Sequence, residues 1–197
     1  MVAAKGSLTP TRTTGDSTTL TTQTLPAESP WQLKPAERAL LVIDVPGSLR
    51  VCKQLGDARA YHVLKFLAET IRQAPTATGR VVRALGDGFM LAFDTVDEAL
   101  AHAVTAQNAV ARHNPTEVPL KVRCGIHYGE VIEADRDCFG VAVYLTSRVA
   151  GHAHGGEILL TQAARDAVQR ESAFTDFGPT LLPGFEEPVR LFEYAWK

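Results

Sequence analysis

Two carboxylates stand where apolar runs end. Asp44 directly follows ALLVI, and Asp87 lies between Gly86 and Gly88 in ALGDGFM. An acid at the end of a buried run is poorly placed in a core. Asp-Gly between apolar residues is first of all a hairpin turn, because both residue types tolerate positive φ. On that reading Asp87 shapes a turn and does nothing else. The chemical reading starts from repulsion: two carboxylates held close disfavour each other, and a divalent cation relieves this. Magnesium takes oxygen ligands and bridges one or two carboxylates to substrate phosphates. After Asp44 the loop VPGS leads into a helix near Leu49. Such a loop offers free backbone N–H groups and a helix N-terminus to an anion. Together the two segments describe a metal and phosphate site.

The elements that must position these acids follow from periodicity. ALLVIDV (39–45) is the short continuous apolar run of a strand buried on both faces. From Leu49 to about Gln73 the pattern turns helical, with Ala60, Val63, Leu64, Leu67 and Ile71 on one face. GRVVRAL and FMLAF predict the hairpin around Asp87. Thr95 and Glu98 form a capping-box pattern for a helix to about His113. LKVRCGIHYGEVIEA (120–134) reads as two strands with a turn at Tyr128-Gly129. A helix is expected from about Gly140 to Ala150, a strand at EILL (157–160), a helix capped by Thr161 to about Gln169, and a final strand in RLFEYAW (190–196). The front of this order, β-α-β-β-α-β, is that of a ferredoxin-like sheet. The expected class is α+β, an α/β sandwich with a ferredoxin-like core and further C-terminal strands and helices. In that order the first strand and the hairpin are sheet neighbours, so Asp44 and Asp87 can converge at one edge.

Composition narrows the functional classes. The chain has 197 residues, 45% hydrophobic and 21% charged, which is ordinary for a globular protein with one sizeable core. A net charge of −2 makes no electrostatic case for nucleic acid. No apolar run reaches the roughly 20 residues of a membrane helix, and no signal-peptide core is present. The scattered Cys52, Cys124 and Cys138 suit free thiols in a reducing cytoplasm. Residues 1–30, with the Thr- and Ser-rich stretch 7–25, are expected to be a disordered tail before a single domain at 31–197. His152 and His154 form an HxH in GHAHGG, but a zinc site needs more ligands, so a solvated loop is expected there.

Several stretches, in order, resemble class III nucleotidyl cyclase domains, the adenylate and guanylate cyclases. They are LLVIDVPGSLRVCKQLGDARA, RVVRALGDGFMLAF, LKVRCGIHYGEVIEADRDCFGVAVYLTSRVAG, GGEILLT and LPGFEEPVRLFEYAW, and together they run through nearly all of the chain from residue 38. The resemblance implies the class III cyclase fold. It implies two Mg2+ or Mn2+ ions per site, held at Asp44, Val45 and Asp87, with Pro46, Gly47, Ser48 and Leu49 cradling phosphates. The substrate would be a nucleoside triphosphate, converted to a 3′,5′-cyclic nucleotide and pyrophosphate. Base recognition falls on Arg83 and Asp137, and Tyr144 and Arg148 complete the site, one helical turn apart. The family's sites form between subunits, which implies a homodimer with shared active sites.

Three positions depart from the family. Arg83 stands where a lysine is usual, and its fork can only donate, which suits guanine or uracil better than adenine. Asp137, when ionised, can only accept. Tyr144 stands where an asparagine orients the ribose, and Leu49 where a small or polar residue is common. Two functions follow: an active cyclase with altered base preference, or a degenerate homologue that binds nucleotide or a partner. Small cyclases making cyclic pyrimidine nucleotides in bacterial anti-phage signalling belong to the same superfamily.

Overall fold

A computed structural model describes residues 33–73, 79–112 and 118–196; the predicted tail at 1–30 lies outside them. Strand β1 (Pro35–Asp44) is the axis of the fold. Its residues 39–43 are all buried, as the unbroken apolar run requires, because helices cover both faces of the sheet there. Helices α1 (Ser48–Leu55) and α2 (Asp57–Gln73) lead to the hairpin β2 (Arg80–Leu85) and β3 (Gly88–Phe93). Then follow α3 (Val96–Arg112), β4 (Arg123–Ala134) and β5 (Asp137–Phe139). After these come α4 (Val141–His152), β6 (Ile158–Thr161), α5 (Gln162–Asp166), β7 (Phe174–Thr180) and β8 (Val189–Tyr194).

The strands form one sheet in the order β2-β3-β1-β4-β6-β8-β7, with β5 pairing β4. Its first four strands have the ferredoxin-like arrangement expected from the sequence. Alternation along β1 divides the core. Ala39, Leu41 and Ile43 face Val63, Leu67 and Ile71 of α2 and Val96 and Leu100 of α3. Leu40 and Val42 face Ala142, Val143 and Ala150 of α4. Thr95 and Glu98 make the predicted capping box: the Glu98 N–H donates to Thr95 Oγ1, and the Thr95 hydroxyl donates to Glu98 Oε2.

Four sequence expectations are corrected. The single helix from Leu49 is two helices, broken at Gly56, whose φ of +75° no ordinary residue holds cheaply. Tyr128-Gly129 is not a turn. It pairs with Ala39 and Arg38 in the middle of β4, which stays straight along the full length of β1. The turn comes later, at Asp135-Arg136, both with positive φ, and delivers β5. The helix after Thr161 stops at Asp166, beyond which the Gln169 and Arg170 N–H groups are held by the Asp97 carboxylate. Strand β7, with its Gly-Pro interruption, carried no clean alternation and was not anticipated.

Candidate active site

Antiparallel pairing of β1 with β3 brings Asp44 to the end of the hairpin that carries Asp87. Ile43 pairs with Phe89, so Asp44 arrives beside Gly88, the residue after Asp87. A Cβ on Gly88 would lie 2.4 Å from the Ile43 carbonyl oxygen and 3.3 Å from Asp44 Oδ1. Only glycine permits this approach, and it leaves Asp44 Oδ1 open toward the hairpin turn. The other carboxylate oxygen is taken. Arg123, opposite Asp44 on β4, donates from Nε to Asp44 Oδ2 at 2.7 Å and again from Nη2. Its Nη1 donates to the Gly151 carbonyl at 2.9 Å, tying the end of α4 to the same edge.

Asp44, with one oxygen braced by Arg123, and the half-buried Asp87 carry hard-oxygen donors. Among the described residues no group of three or more His, Cys, Asp or Glu could hold an ion by itself. Magnesium takes one or two carboxylates together with water and substrate phosphate, so two acids are enough to make the edge a candidate for it. The loop after Asp44 supplies the phosphate side. Val45 is buried and anchors it. Gly47, with φ +74°, enters α1 without a side-chain cap, and the Arg50 and Val51 amides bond back to its carbonyl. The Ser48 and Leu49 amides belong to the first helical turn, whose N–H groups lack helix partners. Leu49 is 66% exposed, so its side chain does not close the loop.

Arg83 and Asp137 meet each other. Arg83 Nη2 donates to Asp137 Oδ2 at 2.6 Å, and its guanidinium lies 5.8 Å from the Phe139 ring centroid. A register irregularity in β2 between Val81 and Arg83 sets the arginine's position. Burial alone would raise the Asp137 pKa. The Arg83 hydrogen bond, the Cys138 N–H and the charges of Arg83 and Arg80 outweigh it, so the carboxyl titrates below its usual range. The hairpin carrying Asp137 is braced from the sheet. Glu133 accepts from Arg38 at 3.0 Å and from Arg80 at 2.5 Å, while Arg80 also donates to the Arg136 carbonyl. The Arg80 hydrogen bond is the largest cause holding the Glu133 carboxyl low.

Tyr144 and Arg148 lie on the exposed face of α4, and Tyr144 is 68% exposed. Neither side chain has a hydrogen bond or ion pair among the described residues. The helix is seated on β4 at Gly125, where a Cβ would come within 2.2 Å of the Ala150 nitrogen. The predicted residues thus fall in three places: Asp44 and Asp87 at one sheet edge, Arg83 and Asp137 as a pair, Tyr144 and Arg148 on an outward helix face. Sequence reasoning missed Arg123; an acid ending a strand and an arginine opening the next antiparallel neighbour was its one signal. The HxH pair separates: the His152 ring packs edge-on against Phe177, and His154 faces away toward the phosphate loop.

Residues 34–193 match the family described as adenylate and guanylate cyclase catalytic domain. An uncharacterized Mycobacterium tuberculosis protein is 33% identical over 115 residues, covering 58% of this chain and 29% of that protein. This chain therefore spans under a third of the length of that relative. Among solved structures, an adenylate/guanylate cyclase/hydrolase from Silicibacter pomeroyi is 26% identical with a TM-score of 0.66, covering 82% of this chain and 98% of that one. The adenylyl cyclase CyaB of P. aeruginosa shares the fold at 21% identity, with a TM-score of 0.68 and coverage of 83% and 96%.

Proposed function

The chain belongs to the adenylate and guanylate cyclase catalytic domain family, and from that premise we propose that it is an active nucleotidyl cyclase. It would convert a nucleoside triphosphate to a 3′,5′-cyclic nucleotide and pyrophosphate. The 3′-oxygen loses its proton and bonds to the α-phosphorus, and the bond from that phosphorus to the β-bridging oxygen breaks. The observation that supports this reading is the strand register that sets Asp44 beside Gly88, the residue after Asp87. Divalent cations bound there, Mg2+ or Mn2+, would acidify the 3′-hydroxyl and neutralise phosphate charge.

The remaining work falls to this chain's own groups. Arg123 holds Asp44 in one orientation. The 45–49 loop receives phosphate oxygens on backbone amides. Arg148 of the partner subunit would stabilise charge on the α-phosphate in a head-to-tail homodimer. Support for a shared site comes from the protomer itself, where Tyr144, Phe139 and Val141 are all exposed around the face that carries Arg148. The base would be read by Arg83 and Asp137, a donor fork beside an acceptor. That pairing favours guanine or uracil, which offer a carbonyl and a ring N–H. Among the described residues no helix is long and apolar enough to cross a membrane.

A second reading is supported by Tyr144 and Leu49: a degenerate domain that binds nucleotide without turnover. One experiment separates the two. Purified protein with Mn2+ or Mg2+ is given ATP, GTP, UTP and CTP, and cyclic product and pyrophosphate are identified. Turnover of at least one, GTP or UTP first, supports the enzyme. Silence on all four, with dimer and metal binding demonstrated, leaves the binding module.

A further inference from the structure

Arg80 and Arg83 both reach the β4–β5 hairpin, although residues three apart on a regular strand point to opposite faces. A bulge in β2 accounts for this. Arg80 pairs with Ala92 and Arg83 with Met90, two residues apart on β3, so Val82 is the extra residue. Residues directly opposite each other share a face, and Met90 and Ala92 lie in one core cluster. The bulge therefore returns Arg83 to the face that carries Arg80.

The hairpin needs support from outside itself. Strand β5 has three residues and pairs with β4. The turn residue Arg136 has a φ of 65°, a conformation that a residue of its type keeps only when its surroundings fix it. Arg80 grips the hairpin at three points. Its Nη2 donates to Glu133 Oε1 at 2.5 Å and to Cys138 Sγ at 3.5 Å, and its Nη1 donates to the Arg136 carbonyl at 3.0 Å. Glu133 also takes the Arg38 fork, from Nε on Oε1 and from Nη2 on Oε2, each at 3.0 Å. An isolated surface ion pair orders little, but a carboxylate shared by a bidentate fork and a second guanidinium is held in place. Across the hairpin Glu133 pairs with Cys138, whose N–H holds Asp137 Oδ1 at 2.8 Å, while Arg83 holds Oδ2.

We propose that Glu133, acting through Arg80, is a positioning residue for base selection: it sets the β4–β5 hairpin against β2 at the separation that lets Arg83 and Asp137 work as one recognition edge. This rests on the reading of the base by Arg83 and Asp137 proposed above, but it does not require turnover. The test is calorimetric titration of the full chain, in Mn2+, with non-hydrolysable analogues of ATP, GTP, UTP and CTP. The wild type is expected to prefer the guanine or uracil analogue. Glu133→Gln, which keeps the shape and loses the charge, is expected to reduce that preference about tenfold, and Arg80→Gln to do the same. Inorganic tripolyphosphate, which has no base, is expected to bind wild type and both variants alike, which general damage to the fold would not allow. Thermal unfolding confirms that the variants are folded. Equal binding of all four analogues by the wild type, an unchanged preference in either variant, or a parallel fall in tripolyphosphate binding overturns the proposal. A base preference that depends on Glu133 and Arg80, with all four nucleotides left unreacted, would reject the cyclase reading and keep the positioning role.

Discussion

Arg123 and Asp44 face each other on adjacent strands, and Arg123 Nε donates to Asp44 Oδ2 at 2.7 Å. The bond orients one metal-binding candidate and lowers the negative potential that a cation would meet. Arg123→Gln removes the charge. Mn2+ is expected to bind the variant severalfold more tightly, because a unit positive charge has left contact range. Turnover is expected to fall by about 10–100-fold, because Asp44 is no longer aimed. Unchanged Mn2+ affinity would remove Arg123 from the site.

Gly88, the residue after Asp87, lies so close to β1 that a Cβ there would come within 2.4 Å of the Ile43 carbonyl oxygen and 3.2 Å of Asp44 Cα. Gly88→Ala is expected to cost about 1–3 kcal/mol through overpacking against the Ile43 carbonyl. Metal binding and turnover should be lost together. Asp87→Ala should abolish both without the drop in melting temperature, which separates loss of a ligand from distortion of the edge.

Arg83 donates to Asp137 at 2.6 Å, and in the proposed reaction this pair would read the base. Arg83→Lys restores the residue usual in the family. The kcat/KM ratio of ATP to GTP, and of ATP to UTP, is expected to rise about tenfold, a difference of about 1.4 kcal/mol in transition-state stabilisation. Ratios that do not move would place base recognition elsewhere.

Tyr144 has 68% of its surface exposed within the protomer, and the fold does not depend on it. Tyr144→Asn is expected to raise turnover on the order of tenfold by returning a ribose-positioning amide, with the melting temperature unchanged. Lower turnover in the variant would give the tyrosine a role of its own.

His127 is buried enough that desolvation depresses its pKa to about 4, and its Nδ1 lies 2.8 Å from Thr161 Oγ1. The unfolded chain binds the proton near pH 6.5 and the folded chain does not until about pH 4. The unfolded state therefore holds more protons in that window, and stability rises with pH across it. Denaturant unfolding should show full stability above about pH 6.5 and a loss on the order of 2 kcal/mol as pH falls toward 4. His127→Gln should flatten that slope.

The sequence by itself determined the local devices. The unbroken run ALLVI set a central strand, Asp-Gly set a turn at Asp87, and Thr95 with Glu98 set a helix start, because each depends on neighbours a few residues away. The ordered resemblance to one family extended that to the fold. The partner of each acid was decided only by tertiary structure. Arg123 meets Asp44, and Arg83 meets Asp137, through strand registers joining residues 79 and 54 positions apart. The turn at Asp135-Arg136 was missed because no glycine accompanies the aspartate and Arg136 has no preference for positive φ, while Gly129, which does suggest a turn, instead makes room for the His127 ring. Periodicity reports which face a residue takes along its own element. It carries no information about which distant charge will face it across a sheet, and that pairing orients Asp44 and sets Arg83 beside Asp137.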